Sequence, residues 1–116
     1  MKAKEVTAAI VSTTRISVQP GKRKELFLTI TSLLDKIRSE EGCRMYKFYG
    51  ETGDEDSCML MGEWETRSAF IQHLSSEHFA ILLGSLGMLS NRANFDFKVL
   101  SQVGGIEKIH QAGIQF

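Results

Sequence analysis

The sequence predicts an α+β domain of the ferredoxin-like type, βαββαβ, an antiparallel four-stranded sheet with two helices on one face. Three observations predict it. A Val/Ile/Thr-rich run ends at Pro20–Gly21 and gives way to apolar residues at helical spacing. Two β-rich runs, 43–51 and 57–65, are joined by a link too short for a parallel crossover, so they form a hairpin. A second helical region and a last alternating run complete two βαβ-like halves, and right-handed crossovers put both helices on the same side of the sheet.

The first strand is read over 6–19, where Ile10, Ser12, Thr14, Ile16 and Val18 share one face. Over 22–41, Leu26, Phe27, Ile30, Leu33, Leu34 and Ile37 make one stripe of a helix that Gly42 stops. A hairpin turn centred near Asp54 sets Tyr46 opposite Gly62, Lys47 opposite Met61 and Arg44 opposite Trp64. Thr66 caps a helical stretch whose apolar face carries Ala69, Phe70, His73 and Leu74. After a break at Ser75–Ser76 a further turn or two points Phe79, Leu82, Leu83 and Leu86 inward, and Gly84 and Gly87 then loosen the chain into a loop through Asn91 and Arg92. The last strand is read over 93–103, with Phe95, Phe97 and Val99 on one face. Residues 1–103 thus form the domain, and 104–116 a tail whose Ile106, Ile109, Ile114 and Phe116 suit docking on its own or a partner subunit.

Composition narrows the function. The chain has 116 residues, 42% apolar and 24% charged, enough for one globular domain with its own core. Fourteen Lys and Arg balance fourteen Asp and Glu, which argues against nucleic acid or an anionic membrane as partner. Residues 1–6 lack the apolar core of a signal peptide, and the uncharged stretch 79–91 is shorter than the ~20 apolar residues of a bilayer span, so a cytoplasmic location is expected. The two cysteines, Cys43 and Cys58, lie in no CxxC pair and have no histidine at metal-ligand spacing; no metal and no cofactor is expected. The hairpin register holds them roughly 23 Å apart, beyond disulfide reach.

Both faces of the hairpin are apolar. Cys58, Leu60, Trp64, Tyr46 and Phe48 fall on one side, and Met59, Met61, Met45 and Tyr49 on the other. A sheet with one wet face alternates apolar with polar, so the open face is expected to pack on the same face of an identical chain, giving a homodimer. Glu63 points toward that face and is read as one half of a structural ion pair, and the methionines as interface filling.

Pro20–Gly21–Lys22, Glu41–Gly42–Cys43 with Tyr46, Glu63–Trp64, and the run His73–Leu74–x–Ser76–x–His78–Phe79 together resemble the antibiotic biosynthesis monooxygenase superfamily over roughly residues 6–103. The resemblance implies a dimeric α+β barrel of ferredoxin-like subunits. It also implies one of several activities: cofactor-independent oxygenation of quinols and anthrones, haem degradation, or autoinducer processing. The haem-degrading branch carries an Asn on the first strand and a His ten residues after the tryptophan; here those positions are Thr14 and Leu74, which points away from haem.

The favoured reading is a cofactor-independent monooxygenase acting on a small aromatic, quinol- or phenol-like substrate. Deprotonated in a dry pocket, such a ring becomes electron-rich enough to reduce O₂ itself, and the protein supplies a base and excludes water. His73 or His78 is the candidate base. Thr14, Tyr46, Trp64, Phe70 and Phe79 are the candidate substrate contacts, with Arg44 as an anion or cation–π partner, and the loop at Gly84 and Gly87 as the entry. Each has a plain structural alternative: a boundary histidine bonded to a carbonyl, a helix-start histidine in solvent, a core aromatic. The alternatives for the whole protein are a barrel that binds an apolar small molecule without transforming it, and an isomerase or autoinducer-processing enzyme.

Overall fold

A computed structural model describes residues 9–101 and 104–113. The expectations for residues 1–8, 102–103 and 114–116 lie outside the described residues. In order along the chain come β1 (Ala9–Val18), α1 (Arg23–Arg38), β2 (Cys43–Glu51), β3 (Asp54–Trp64), α2 (Arg67–Leu74), α3 (Glu77–Leu89), β4 (Ser90–Leu100) and α4 (Ile106–Gln111). The strands form one antiparallel sheet in the order β2-β3-β1-β4.

β1 alternates as its sequence does. Ile10, Ser12, Thr14, Ile16 and Val18 are buried beneath the helices, while Arg15 and Ser17 are exposed on the other face. α1 drives Leu26, Ile30, Leu33 and Ile37 into the same layer, one residue per turn. With Leu60, Trp64, Leu82 and Leu86 they make the core.

The hairpin keeps the expected register from Met45 to Gly50, with Tyr46 opposite Gly62 and Lys47 opposite Met61. Two departures flank it. Cys43, not Arg44, pairs with Trp64, because a bulge inserts Arg44 as an extra residue on β2. The turn is also tighter than expected: Glu51 pairs with Asp54 around a left-handed Gly53, so β3 begins three residues before the expected position. Gly62 is required where it stands, since a Cβ there would come 2.8 Å from both Ser12 Oγ and Tyr46 Cδ1. The Tyr46 ring takes the room that the glycine leaves.

Gly84 and Gly87 do not open a loop. α3 runs through both to Leu89, and β4 starts at the next residue. Each glycine costs a helix about 1 kcal/mol relative to alanine, but Leu82 and Leu86, buried on either side of Gly84, hold the helix down. The helix layer leaves β4 partly bare. Phe95, Phe97 and Val99, which face the helix side opposite Thr14, Ser12 and Ile10, are 36%, 44% and 56% exposed. On the other face Val11, Thr13, Met45, Met59 and Met61 are half-buried and Tyr49 is exposed. α4 buries none of its residues.

Candidate active site

The site gathers where three chain turns meet. α1 ends at Arg38, and Glu40 follows in a turn whose amide bonds the Ile37 carbonyl and whose carbonyl accepts from the Cys43 amide. Gly42, at φ +77°, then brings the backbone against α2: a Cβ there would lie 2.4 Å from that of Ala69. α2 starts at the Thr66 cap, whose hydroxyl accepts from the Ala69 amide at 3.0 Å, and its last turn carries His73. Ser76 joins α2 to α3, donating to the His73 carbonyl at 2.7 Å and accepting from the Phe79 amide at 3.1 Å. His78 therefore falls in the first turn of α3, one residue after Glu77.

These turns place one carboxylate between two imidazoles. Glu40 Oε1 lies 2.7 Å from His73 Nδ1, and Glu40 Oε2 lies 3.1 Å from His78 Nδ1. The sequence reading named both histidines but not the glutamate that joins them. His73 is buried, and its ring stacks on Trp64 with centroids 4.4 Å apart and planes 25° off parallel. Burial pushes the His73 pKa below its ordinary value; the hydrogen bond and charge of Glu40 oppose this, and His78 adds to it. Burial also pushes the Tyr46 phenol up, reinforced by Glu40 and Cys43. The arrangement thus favours a neutral imidazole beside a protonated phenol.

Trp64 has no exposed surface, and its indole nitrogen has no hydrogen-bond partner among the described residues. One face of its ring is already taken by His73. A closed circuit of rings then leads outward from His73. Its centroids stand 5.0 Å from Phe79, which is 6.1 Å from Phe95; Phe95 is 6.3 Å from Phe97, Phe97 4.8 Å from Phe70, and Phe70 6.5 Å from His73. Ser12 and Thr14 are opposite Phe97 and Phe95 on the neighbouring strand. Both are buried, and neither hydroxyl bonds another described residue. Phe95, Phe97, Ser12 and Glu40 are the members that sequence reasoning missed as site residues. The alternation of β4 and β1 already placed the first three on one face; nothing in the sequence distinguished Glu40 from the other acids.

The clefts follow this geometry in part. One of about 140 Å³ is lined by Glu40, Glu41, Ala69, Gln72, His73 and Ser76. Another of about 200 Å³ lies beyond Phe70, between Phe97, Ile10 and the cations Arg67 and Lys98. A larger one, about 390 Å³, lies elsewhere, among Arg15, Tyr49, Met59, Arg92 and Asn94. Arg44 does not join the group. The bulge turns it to the Glu63 carboxylate, 3.7 Å away, which supplies the ion pair expected of Glu63. Cys43 and Cys58 are free thiols. No group of three or more His, Cys, Asp or Glu side chains among the described residues is arranged to hold a metal ion, and no described helix is long and apolar enough to cross a membrane.

Comparison with known proteins agrees with the fold. A family model for antibiotic biosynthesis monooxygenase matches residues 9–81. The chain is 31% identical over 70 residues to YcnE of Bacillus subtilis, covering 60% of this chain and 74% of that protein. It is 30% identical over 70 residues to sll1783 of Synechocystis, covering 60% of this chain and 48% of that protein, so the match spans about half the length of this relative. Among solved structures it is similar to SnoaB, a cofactor-independent oxygenase from Streptomyces nogalater. The TM-score is 0.74 at 15% identity, covering 84% of this chain and 97% of that one. The four-stranded antiparallel sheet under its helices, together with the family match over most of the domain, establishes that the chain belongs to the antibiotic biosynthesis monooxygenase family.

Proposed function

We propose that this protein is a cofactor-independent monooxygenase that oxidises a small phenol- or quinol-like ring, with His73 as the base. The observation that carries this reading is the buried His73 imidazole, stacked on Trp64 and hydrogen-bonded through Nδ1 to Glu40. A carboxylate facing Nδ1 favours the tautomer with hydrogen there, which leaves the Nε2 lone pair free to accept a proton. The rings of Phe70, Phe79, Phe95 and Phe97 suit an aromatic ligand, and the Ser12 and Thr14 hydroxyls, which bond no other described residue, offer polar contacts to its oxygens. The cofactor-independent chemistry of SnoaB, a fold relative, supports the same reading.

The reaction balances without an added reductant. His73 takes the phenolic proton, and the phenolate gives an electron to O₂. The two radicals combine at the para carbon to a hydroperoxide anion. Loss of the ring hydrogen with cleavage of the O–O bond leaves a quinone and water, so phenol plus O₂ becomes quinone plus H₂O. The proton on His73 goes to the departing hydroxide. A dry, aromatic site favours this by leaving the phenolate poorly solvated and reactive.

The half-buried apolar back of the sheet, with Met45, Met59 and Met61, supports a homodimer packed sheet to sheet, and the exposed Ile106 and Ile109 of α4 suit docking on its own or the partner subunit. Within this reading the protein works in the cytoplasm. A second reading, a barrel that binds such a ring without transforming it, draws on Trp64 and His73 already filling each other's ring faces. An oxygen electrode with 1-naphthol as probe, a phenol whose para carbon carries a hydrogen, separates the two. The oxygenase reading expects uptake that scales with protein and is lost in His73→Gln with the circular dichroism unchanged. Thermal stabilisation by the probe with no uptake would establish the binding reading instead.

A further inference from the structure

We infer that His73 and His78 are not alternative bases but one coupled unit, in which His78 holds the positive charge that Glu40 balances and thereby keeps His73 unprotonated. The inference rests on the reading of His73 as base and assigns His78 and Glu40 as positioning residues for it. Its basis is the bridging carboxylate. Each oxygen of Glu40 faces the Nδ1 of a different histidine, at 2.7 Å and 3.1 Å, and the three side chains come from three separate elements. One carboxylate balances one imidazolium. A second positive charge would stand uncompensated among Trp64, Phe70, Phe79 and Tyr46.

Exposure is what separates the two rings. The side chains of His73, Glu40 and His78 are 2%, 15% and 31% exposed, a gradient from core to water. An imidazolium at His78 keeps part of its hydration, whereas one at His73 loses nearly all of it.

Among the described residues no charged group other than Glu40 bonds either histidine; Glu77 precedes His78 in the first turn of α3 without pairing with it. From β2 come the Tyr46 phenol, its ring 5.9 Å from that of His73, and the Cys43 thiol, both held protonated by burial. From the end of α1 comes Arg38, whose Nε donates to the Tyr46 carbonyl and whose Nη1 pairs with Asp35. β3 contributes the neutral Trp64, α2 contributes Phe70 and the amide of Gln72, and α3 contributes Phe79 beside His78. Glu41 is the remaining acid at the cleft, and neither histidine bonds it.

The test is a two-bond ¹H–¹⁵N NMR titration of the imidazoles in the full chain from pH 4.5 to 9. Wild type, His78→Gln, Glu40→Gln and, for assignment, His110→Gln are compared. In wild type the His73 signals should show hydrogen on Nδ1, and its curve should depart from that of a single independent site. His78→Gln should restore single-site behaviour and move the His73 midpoint upward, because a like charge is gone; Glu40→Gln should move it downward. A His73 curve unmoved in His78→Gln, or hydrogen on Nε2, overturns the inference, and unchanged circular dichroism shows that the variants fold. None of these readouts needs turnover. A protein that takes up no oxygen yet shows the coupled titration loses the oxygenase reading and keeps the coupled pair. Where turnover is present, His78→Gln should shift the acid limb of kcat to higher pH.

Discussion

Gly42→Ala tests how the site is held together. The residue sits at φ +77°, and the added Cβ would stand 2.4 Å from that of Ala69. Left-handed backbone costs a residue with a Cβ roughly 1–2 kcal/mol, and forcing an extra carbon into packed structure costs roughly 1–3 kcal/mol. The sum, about 2–5 kcal/mol, is a large part of the 5–15 kcal/mol that holds a domain folded, and it should lower Tm by about 10 °C or more. The damage should reach the chemistry, because Gly42 lies two residues after Glu40 and Ala69 one helical turn before His73. Relief of the clash by movement of α2 stretches the 2.7 Å contact between Glu40 and His73 beyond hydrogen-bond range. Gly50→Ala is the control, since its Cβ would meet nothing within 4 Å and its φ is ordinary. Urea unfolding of Gly42→Ala, Ala69→Gly and the double variant forms the cycle. Ala69→Gly alone should cost about 1 kcal/mol as a helix substitution, and in the double variant it should recover the clash part of the Gly42→Ala loss. A Gly42→Ala protein within about 0.5 kcal/mol of Gly50→Ala, or a cycle with no coupling, would refute the close approach.

Other outcomes follow from the same geometry. Thr66→Ala should cost about 1 kcal/mol in chemical unfolding, and Ser76→Ala should reach the upper end of the range for lost caps, because its hydroxyl also serves the His73 carbonyl. His73 is harder to protonate folded than unfolded, so the unfolded chain binds more protons below its ordinary value of 6.5. Urea midpoints should therefore fall as pH drops through and below about 6.5, and fall less in His73→Gln; a midpoint independent of pH in wild type would contradict the lowered pKa. Light scattering should give wild type twice the chain mass of 13.0 kDa, and Met61→Asp should give a monomer that keeps its circular dichroism. A monomeric wild type at micromolar concentration would contradict the sheet-to-sheet packing.

Much of the fold was legible because periodicity reports burial directly. The β1 alternation, the α1 stripe from Leu26 to Ile37 and the pairing of Tyr46 with Gly62 all read straight from residue spacing. The failures came where local signals competed with tertiary packing. Gly84 and Gly87 are poor helix residues, but the burial of Leu82 and Leu86 outweighed their propensity. The bulge at Arg44 left no trace in the sequence, and it sent that side chain to Glu63. The site was half legible: its histidines and aromatics stood out as residue types, whereas Glu40 became visible only once the turn after α1 met α2 and α3. Phe95 and Phe97 looked like ordinary strand residues until the helix layer proved too narrow to cover β4.

The central claim is that a histidine in this site removes a proton so that the substrate ring itself reduces O₂. Mass spectrometry of the product formed from a reactive phenol under ¹⁸O₂ tests it most directly. The account predicts a quinone carrying one labelled oxygen, with the second label in water, at a rate that collapses in His73→Gln. Product formed equally well without oxygen, or a quinone whose new oxygen comes from water, would contradict it.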